Sequence, residues 1–340
     1  MHGVLTIDAH YGGHEGSAAV YLIQDAGEVA FVETNTTYAV PRMLAALEQR
    51  GRRPEDVRYI AITHVHLDHA GGAGPLLRAC PRATLLAHPR AAKHVVDPSR
   101  LVAAAKAVYG PEKFEALYGR VEGASADRVR AVRDDETFAL GRRHLRFFET
   151  RGHANHHVCI HDDGSNGVFT GDSFGLCYPH LQRERRLVFP TSAPSDFDAE
   201  AALQSVDRIT GLSPDRVFLT HFGPRTDVDA IARRLRTQLE GYAKLVDTAD
   251  ASSRTGDELA SFCVARVGAE FEQWFAEAGL TADPRRDVIA GLDVELNGLG
   301  IAAAVEKRRY KRSVAGDPTP AATGPSGRSG GAFPREQNGS

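Results

Sequence analysis

Residues 59–69 read YIAITHVHLDH, and this stretch decides how the rest of the chain is interpreted. Its apolar first half predicts a buried strand. His64, His66, Asp68 and His69 then follow within six residues, on the turn where such a strand would leave its sheet. Imidazole nitrogens and carboxylate oxygens together suit zinc, and also iron or manganese. The stretch therefore predicts a metal site at the end of a strand.

Three more candidate ligands, His153, Asp172 and His221, follow apolar runs later in the chain. In the motif and in two of these cases a threonine ends the run, and the ligand follows at once or one glycine later. Each run predicts a strand, so each ligand would lie near a strand's carboxyl end. In an open α/β sheet that edge is where sites form. All of these ligands are therefore predicted to converge.

The order and spacing of these residues resemble the metallo-β-lactamase-fold hydrolase superfamily, and specifically its glyoxalase II-like side. The resemblance covers about residues 15–225 and does not indicate a substrate. The third motif at residues 152–157 and the run at 189–198 look like a stand-alone, less characterised branch. The resemblance implies a layered α/β protein, an αββα sandwich with the metal site at one edge of its two sheets.

The resemblance also implies how the ligands divide between two zinc ions. Each ion would have its own group of ligands, and Asp172 would bridge the pair. The full set exceeds the four ligands that one tetrahedral zinc takes. A metal pair would share a hydroxide, because it lowers the pKa of bound water to about 7. The first group is His64, His66 and His153, and the second is Asp68, His69 and His221.

Three residues are predicted to take part in catalysis. Asp68, besides binding metal, would orient the hydroxide or accept its proton. His157 follows His153 by four residues, where related enzymes place a histidine close to the site. Tyr178, six residues after Asp172, would donate a hydrogen bond to a developing oxyanion.

The predicted activity is zinc-dependent hydrolysis of a small ester, thioester or lactone. The alternative is a mononuclear iron persulfide dioxygenase on the same fold, with His64, His153 and Asp172 as ligands. β-Lactam hydrolysis is not expected, because two-zinc β-lactamases commonly use a cysteine in the second site and lack an equivalent of His69. A nuclease would need an inserted domain or substrate arm, and only 18 residues separate His153 from Asp172. A binding protein without turnover would be expected to have lost some ligands.

The amino-acid composition narrows the possible classes of protein further. The chain has 340 residues, 42% of them hydrophobic, which suffices for one large core. With a formal net charge of −3, the chain has no overall positive charge that would attract nucleic acid or an anionic membrane. There is no apolar run of membrane-spanning length and no signal-peptide pattern at the start. Four cysteines without a C-x-x-C pair indicate free thiols in a reducing compartment. We therefore expect a cytoplasmic protein that acts on a small molecule.

The chain is predicted to contain a catalytic domain over residues 1–225, a helical extension over 226–312 and a disordered tail over 313–340. The extension would pack on the sandwich or form the surface of a homodimer. The tail is rich in glycine, proline and serine, which disfavours a packed core. Two basic clusters, at 183–186 and 307–312, are interpreted as a solvated hairpin and a basic helix end.

Two local predictions concern the elements around the site. Helices are predicted over residues 98–118 and 196–209, the second with Asp196 as its N-terminal cap. His156 is predicted to be structural, because in a strand it would point away from the side on which its neighbour His157 lies.

Overall fold

The computed structural model describes residues 3–183, 186–192, 196–281, 283 and 285–315. Within them the chain forms two six-stranded sheets that pack face to face, with helices on both outer faces. This arrangement is the αββα sandwich that the motifs predict, with further helices at its C-terminal end.

Six strands form the first sheet in chain order: Val4–Asp8 (β1), Ala19–Asp25 (β2), Glu28–Val32 (β3), Val57–Ala61 (β4), Thr84–Ala87 (β5) and Val129–Ala131 (β6). The first three strands are antiparallel, whereas β3 to β6 run parallel. Because β3 and β4 are parallel neighbours, the residues that follow them lie at the same edge of the sheet. The histidine motif after β4 therefore emerges beside the residues that follow β3.

The second sheet is built from Thr137–Leu140 (β7), Arg143–Glu149 (β8), Val158–Asp162 (β9), Gly167–Gly171 (β10), Arg216–Leu219 (β11) and Gly223–Arg225 (β12). Its spatial order is β12-β11-β10-β9-β8-β7, and only β10 and β11 are parallel neighbours. The residues after these two strands, including Asp172 and His221, therefore leave the sheet at one edge.

Alternating side chains of β2 pack into two different hydrophobic cores, one on each face of the first sheet. Tyr21 points between the sheets, where its ring centroid lies 5.2 Å from that of Phe169 and 5.3 Å from that of Phe218. Val20 and Leu22 point to the opposite face and pack with the helices there. Burial of both faces explains why this strand is apolar at successive positions. The aromatic contacts hold together the two sheets whose edges supply the site.

Helices cover both outer faces, and the segment predicted as one helix over 98–118 is two. Gly110 separates them with a φ of 75°, and Pro111 begins the second. The helices are Val40–Gln49 (α1), Leu67–Ala70 (α2), Ala73–Ala79 (α3), Pro89–Val96 (α4), Ser99–Tyr109 (α5), Pro111–Tyr118 (α6), Ala199–Thr210 (α7), Val228–Asp250 (α8), Gly256–Glu277 (α9) and Arg285–Ala315 (α10).

The predicted cap of α7 is wrong by two residues. The helix begins at Ala199, and the carboxylate of Asp198 accepts a hydrogen bond from the backbone N–H of Ala201 at 3.0 Å. Asp198 has the extended backbone that a cap requires, with φ −145°. Asp196 instead accepts a hydrogen bond from Lys307 at 3.1 Å, and so ties the start of this segment to α10.

The three C-terminal helices pack on the second sheet. Side chains of α8, α9 and α10 share one apolar core with the outer face of that sheet. The last helix continues to Ala315, beyond the predicted limit at 312. The rest of the predicted tail, 316–340, lies outside the described residues, and the division into domains stays a prediction. None of the helices in the described part of the chain combines the length and apolar character needed to cross a bilayer.

Both basic clusters are paired with acidic groups where the structure describes them. Arg183 forms an ion pair with Asp283, and Arg185 lies outside the described residues. Arg309 and Arg312 both bind the carboxylate of Asp250 near the end of α8. The four cysteines are buried free thiols, as expected.

Candidate metal centre

The histidine motif folds as a strand end followed by one helical turn. β4 ends at Ala61, and α2 begins at Leu67, directly after His66. The carbonyl of His66 accepts the backbone N–H of His69 at 3.0 Å. This turn brings the His69 ring centroid to 3.9 Å from that of His64. A single local segment therefore supplies donors to one point.

Three of the predicted ligands converge through one ring nitrogen each. His64 Nε2 lies 2.9 Å from His66 Nδ1, and His153 Nε2 lies 3.2 Å and 3.1 Å from these two atoms. Donors around a tetrahedral zinc with bonds of about 2.0–2.1 Å lie about 3.3–3.4 Å apart. The spacing of this first cluster is therefore close to that of a zinc site.

A second cluster lies beside the first. Asp68 Oδ2 is 3.4 Å from His221 Nε2 and 3.7 Å from His69 Nε2. Asp172 lies between the clusters. Its Oδ2 is 3.5 Å from His153 Nε2, and its Oδ1 is 3.3 Å from His69 Nε2. Its two oxygens thus face different clusters, which suits a bridging carboxylate.

The other ring nitrogen of most of these histidines has a partner within the protein. Such contacts fix the tautomer and the orientation of a metal-binding imidazole. Two of the partners are main-chain carbonyls: Ser17 O lies 2.8 Å from His221 Nδ1, and Thr191 O lies 3.3 Å from His153 Nδ1. His64 Nδ1 lies 3.1 Å from the hydroxyl of Thr63.

The segment that carries Thr191 is held by α10. The side-chain oxygen of Asn297 accepts the backbone N–H of Ser192 at 2.6 Å, and the Ser192 hydroxyl donates to the Asn297 carbonyl at 2.9 Å. Both residues are buried. The last helix therefore helps to position the carbonyl that contacts His153.

Glu33 is the partner of His69, and the sequence analysis missed it. Its carboxylate lies 3.0 Å from His69 Nδ1 and accepts hydrogen bonds from the hydroxyls of Thr63 and Thr220. Only 1% of Glu33 is exposed. The one feature of the sequence that could have indicated Glu33 is its position directly after β3, which is the neighbour of the strand that ends in the motif. Thr63 and Thr220, which precede His64 and His221, thus both donate to the buried carboxylate of Glu33.

Burial and neighbouring charges set the protonation of the donors. Burial and the other histidines lower the pKa of His64 and lower that of His66 to about 4, so both rings are neutral at pH 7. Burial also disfavours a charged His69, but Asp172, Asp68 and Glu33 outweigh it and raise its pKa. Metal uptake would therefore displace protons from the second cluster.

The donor set fits a metal ion by a further observation. His69 Nε2 and Asp172 Oδ1 are buried, have no hydrogen-bond partner and point toward each other. Buried polar atoms without a partner are costly, and a metal ion would satisfy both. Three groups of side chains are each close enough to hold one ion: His64 with His66 and His153, Asp68 with His69 and His221, and Glu33 with His64 and His69.

His157 lies beneath the donors and is fully buried. Its Nδ1 is 2.8 Å from the Thr150 hydroxyl, and its Nε2 accepts the backbone N–H of Asp172 at 3.3 Å. Its ring stacks at 4.9 Å from that of His64. The side chain therefore contacts two donor residues from behind.

His156 lies closer to the donors than predicted. It belongs to a turn rather than a strand, since β9 begins only at Val158. Its ring centroid is 5.7 Å from that of His66 and 6.1 Å from that of His64. The alternation expected of a strand does not apply to a turn, which explains the error.

Tyr178 lies at the side of the second cluster. Its ring centroid is 6.1 Å from that of His221, and its hydroxyl hydrogen-bonds to the carboxyl of Asp293 in α10. Burial and then the nearby carboxylates raise the pKa of Tyr178 well above 10, so the hydroxyl stays protonated. Burial is also the main reason that the pKa of Asp293 is raised to about 7. No local sequence pattern connects these two residues.

Fold and donors together define an αββα protein with a histidine- and aspartate-rich metal centre at the shared edge of its sheets. Residues 14–221 match the family model of the Metallo-beta-lactamase superfamily, and the chain belongs to that superfamily. The matched range contains every predicted metal ligand. Its members are mostly hydrolases, and the family and the donor cluster together support a metal-dependent hydrolase.

Similar proteins agree on the fold. The Metallo-beta-lactamase fold-containing protein ST1585 of Sulfurisphaera tokodaii is 31% identical over 169 residues, which cover 48% of this chain and 60% of that protein. The match thus spans less than two thirds of the relative's length. The crystal structure of ST1585, described as from Sulfolobus tokodaii, superposes with a TM-score of 0.60 and 22% identity over 88% of this chain and 98% of that one.

A second structure has the same fold. The metallo-beta-lactamase family protein TTHA1429 from Thermus thermophilus superposes with a TM-score of 0.61 and 20% identity, over 91% of this chain and 95% of that chain. Both superpositions cover too much of the chain to end at residue 225. The shared fold therefore includes part of the C-terminal helical region.

Proposed function

We propose that the protein is a dinuclear zinc hydrolase that acts on a small ester, thioester or lactone. The observation that supports it most directly is the position of Asp172. Each oxygen of this carboxylate faces a different cluster, at 3.5 Å from His153 and 3.3 Å from His69. Two complete clusters with a shared carboxylate suit a pair of metal ions better than a single ion.

Zinc would supply two things: a bound water acidic enough to ionise near neutral pH, and polarisation of the substrate carbonyl. The protein's own residues orient the reactants. Asp68 faces His69 and His221 from one side, so its carboxylate can hold the water and accept its proton. Tyr178 lies beside His221 with a protonated hydroxyl, which would turn from the Asp293 carboxyl to donate to negative charge on the substrate oxygen.

His157 has a different role in this proposal. Because it is buried behind the donors, it contacts no substrate. Its stacking on His64 and its hydrogen bond from the backbone of Asp172 keep both donors in place. We therefore assign it as a positioning residue, while the ligand set and the glyoxalase II-like type of site remain as predicted from the motifs.

The second candidate is the mononuclear iron persulfide dioxygenase. His64, His153 and Asp172 also converge, since His153 Nε2 lies 3.2 Å from His64 Nε2 and 3.5 Å from Asp172 Oδ2. That assignment uses none of the donors Asp68, His69 and His221, although these three side chains also lie close enough together to hold an ion. The completeness of this second cluster favours two ions.

Elemental analysis of protein purified without added metal tests the proposal. We expect about two zinc ions per chain, and turnover of some members of a panel of thioesters, esters and lactones. Asp172→Ala should lose zinc and activity together, whereas Asp163→Ala, an exposed aspartate between β9 and β10, should lose neither. One iron ion per chain with oxygen uptake on a persulfide would establish the second candidate instead.

A further inference from the structure

The connection between β1 and β2 is a loop over residues 9–18, the N-terminal loop. Its ends meet, since the backbone N–H of Ala9 donates to the carbonyl of Ala18 at 2.9 Å and continues the pairing of the two strands. Between these ends the sequence HYGGHEGS contains three glycines. A glycine-rich backbone has many conformations open to it, so one shape persists only where specific contacts stabilise it.

Two side chains supply such contacts. The carboxylate of Asp8 accepts the backbone N–H of His10 at 3.0 Å and that of Gly16 at 2.8 Å, so it joins the two sides of the loop. The hydroxyl of Ser17 lies 2.6 Å from the carbonyl of His14, to which it can donate. Asp8 therefore closes the loop, and Ser17 stabilises the turn within it.

The closed end of the N-terminal loop contacts the turn that carries His221. The carbonyl of Ser17 lies 2.8 Å from His221 Nδ1, and the backbone N–H of Ala19 donates to the carbonyl of Thr220 at 2.7 Å. A carbonyl oxygen can only accept, so a proton of His221 lies on Nδ1. Its Nε2 is thus the nitrogen that faces Asp68, at 3.4 Å.

The other side of the loop contacts the histidine motif. The Tyr11 hydroxyl lies 3.1 Å from that of Tyr118, and the Tyr11 ring packs against a small apolar cluster that contains Leu67. Leu67 directly precedes Asp68 in the motif. The motif comes from the first sheet and His221 from the second, so one loop contacts both segments that supply the second cluster.

We propose that the N-terminal loop holds the second metal site together, and that Asp8 and Ser17 are positioning residues for His221. The histidines of the first cluster take partners from Thr63 and Thr191, which lie outside this loop. Opening the loop should therefore weaken the second ion and spare the first. The inference rests on the proposed two-ion site and deepens it, since it names the segment that decides whether one ion or two are bound.

Two substitutions in the loop test this inference through the dissociation constants of the two zinc ions, measured by competition with a chromophoric chelator. Asp8→Ala and Ser17→Ala should each weaken the second ion about tenfold, because loss of an outer partner of a metal-binding histidine costs about 10–100-fold and this loss is indirect. The affinity for the first ion should not change. Ser17→Thr keeps the hydroxyl and should keep the wild-type affinity.

Asp163→Ala is the matched control. Asp163 also accepts a backbone N–H, that of His144 at 2.8 Å, but it lies in the turn before β10, at the end of the sheet away from the donors. This variant should bind both ions as the wild-type protein does. A loop with a purely structural role would lower Tm in the Asp8 and Ser17 variants without changing the ratio of the two dissociation constants. That result, or an equal loss of both ions, would overturn the inference.

A second measurement needs no variant. Coupling between two equilibria is reciprocal, so an ion that the closed loop binds about tenfold more tightly must favour the closed loop by the same factor. The backbone N–H groups of His10 and Gly16 report on closure, because both donate to Asp8. Their hydrogen exchange should be about tenfold slower with two zinc ions bound than with one. Exchange that does not respond to the second ion would reject the coupling.

The metal-free protein keeps this inference separate from the proposed function. If the protein binds a single ion, the two-ion proposal fails, and the positioning of His221 is decided by nuclear magnetic resonance of its Nδ1–H. In the wild-type protein this proton should exchange slowly with water, because Ser17 accepts it. Asp8→Ala should speed the exchange, whereas an unchanged rate in that variant would show that the loop does not position His221.

Discussion

Glu33 illustrates how a single buried carboxylate can connect parts of a site that are distant in sequence. It contacts Thr63 and His69 from the histidine motif and Thr220 from the far end of the sandwich. A charged group in this position would be costly without such partners. Its contacts fix which nitrogen of His69 faces the second cluster, so its effect on metal binding is indirect.

Glu33→Gln should therefore weaken zinc binding at the second cluster. The amide cannot serve as an anionic acceptor for all three groups, and loss of an outer partner of a metal-binding histidine typically costs about 10–100-fold in affinity. Competition with a chromophoric chelator measures the change for each of the two ions. Glu48→Gln, at an exposed position of α1, is the matched control, and an equal effect of both substitutions would contradict the argument.

Asp293 predicts a pH dependence of stability in the metal-free protein. Burial raises its pKa to about 7 in the folded chain, against about 3.9 when unfolded. The native state thus holds the proton more tightly, so this carboxyl lowers stability progressively as the pH rises from about 4 to about 7. Asp293→Asn should raise Tm relative to wild type at pH 8 and leave it nearly unchanged at pH 4. Parallel Tm curves across this range would refute the assignment.

At the scale of elements, the site depends on two pairs of parallel strands. β3 and β4 bring Glu33 beside the motif, and β10 and β11 bring Asp172 beside His221. The turn after β10 is especially crowded. Gly171 has a φ of 49°, and a Cβ atom added to it would lie 2.4 Å from the Thr63 hydroxyl and 2.5 Å from His157 Nε2.

Gly171→Ala should therefore displace the turn that carries Asp172. A left-handed backbone at a non-glycine residue costs about 1–3 kcal/mol, and the two short contacts add to it. We expect a lower Tm together with a loss of bound zinc. Gly241→Ala in the middle of α8 is the control, because an added Cβ there meets nothing closer than 3.5 Å and helix propensity favours alanine. Retention of zinc by the Gly171 variant would show that the turn can adjust.

Local patterns in the sequence predict the strands and their ligands, because apolar runs and the residues that end them are adjacent in the chain. His64, Asp172 and His221 all follow this rule. Residues that reach the site from a neighbouring strand or from a docked helix are not marked by any local sequence pattern. This is why Glu33 and Asp293 were not predicted. The strands β1 and β12, with the sequences VLTID and GPR, lack the unbroken apolar run that marks the predicted strands. The cap of α7 was misplaced because two aspartates, at 196 and 198, both precede the helix.

At the scale of the whole molecule, one arginine of α10 connects that helix to the C-terminal end of α8. Arg309 of α10 donates hydrogen bonds to the carbonyls of Ala249, Asp250, Ser252 and Arg254, at and beyond the end of α8. The last carbonyls of a helix have no partner within it. The planar guanidinium reaches all four of these carbonyls at once.

Arg309→Ala should lower the free energy of unfolding by about 2–4 kcal/mol, because several carbonyls and Asp250 lose their partner together. Arg309→Lys keeps the charge but loses the planar set of N–H donors. Its free energy of unfolding should therefore lie between those of the wild-type protein and Arg309→Ala. Chemical denaturation measures both. Zinc content should not change, since Arg309 lies about 24 Å along α10 from Asp293. A variant that loses zinc while remaining folded would link this helix end to the site.

The division of the donors between two sheets has a consequence for how the protein is made. Zinc-finger domains acquire structure from the ion they bind. Here the chain must be synthesised past His153 before the first cluster is complete and past His221 before the second is, and both sheets must be docked. We expect newly made protein to fold first and to take up metal afterwards, so that cells starved of zinc would accumulate a folded, inactive precursor. The first sheet contributes His64, His66, Asp68 and His69, and the second contributes His153, Asp172 and His221.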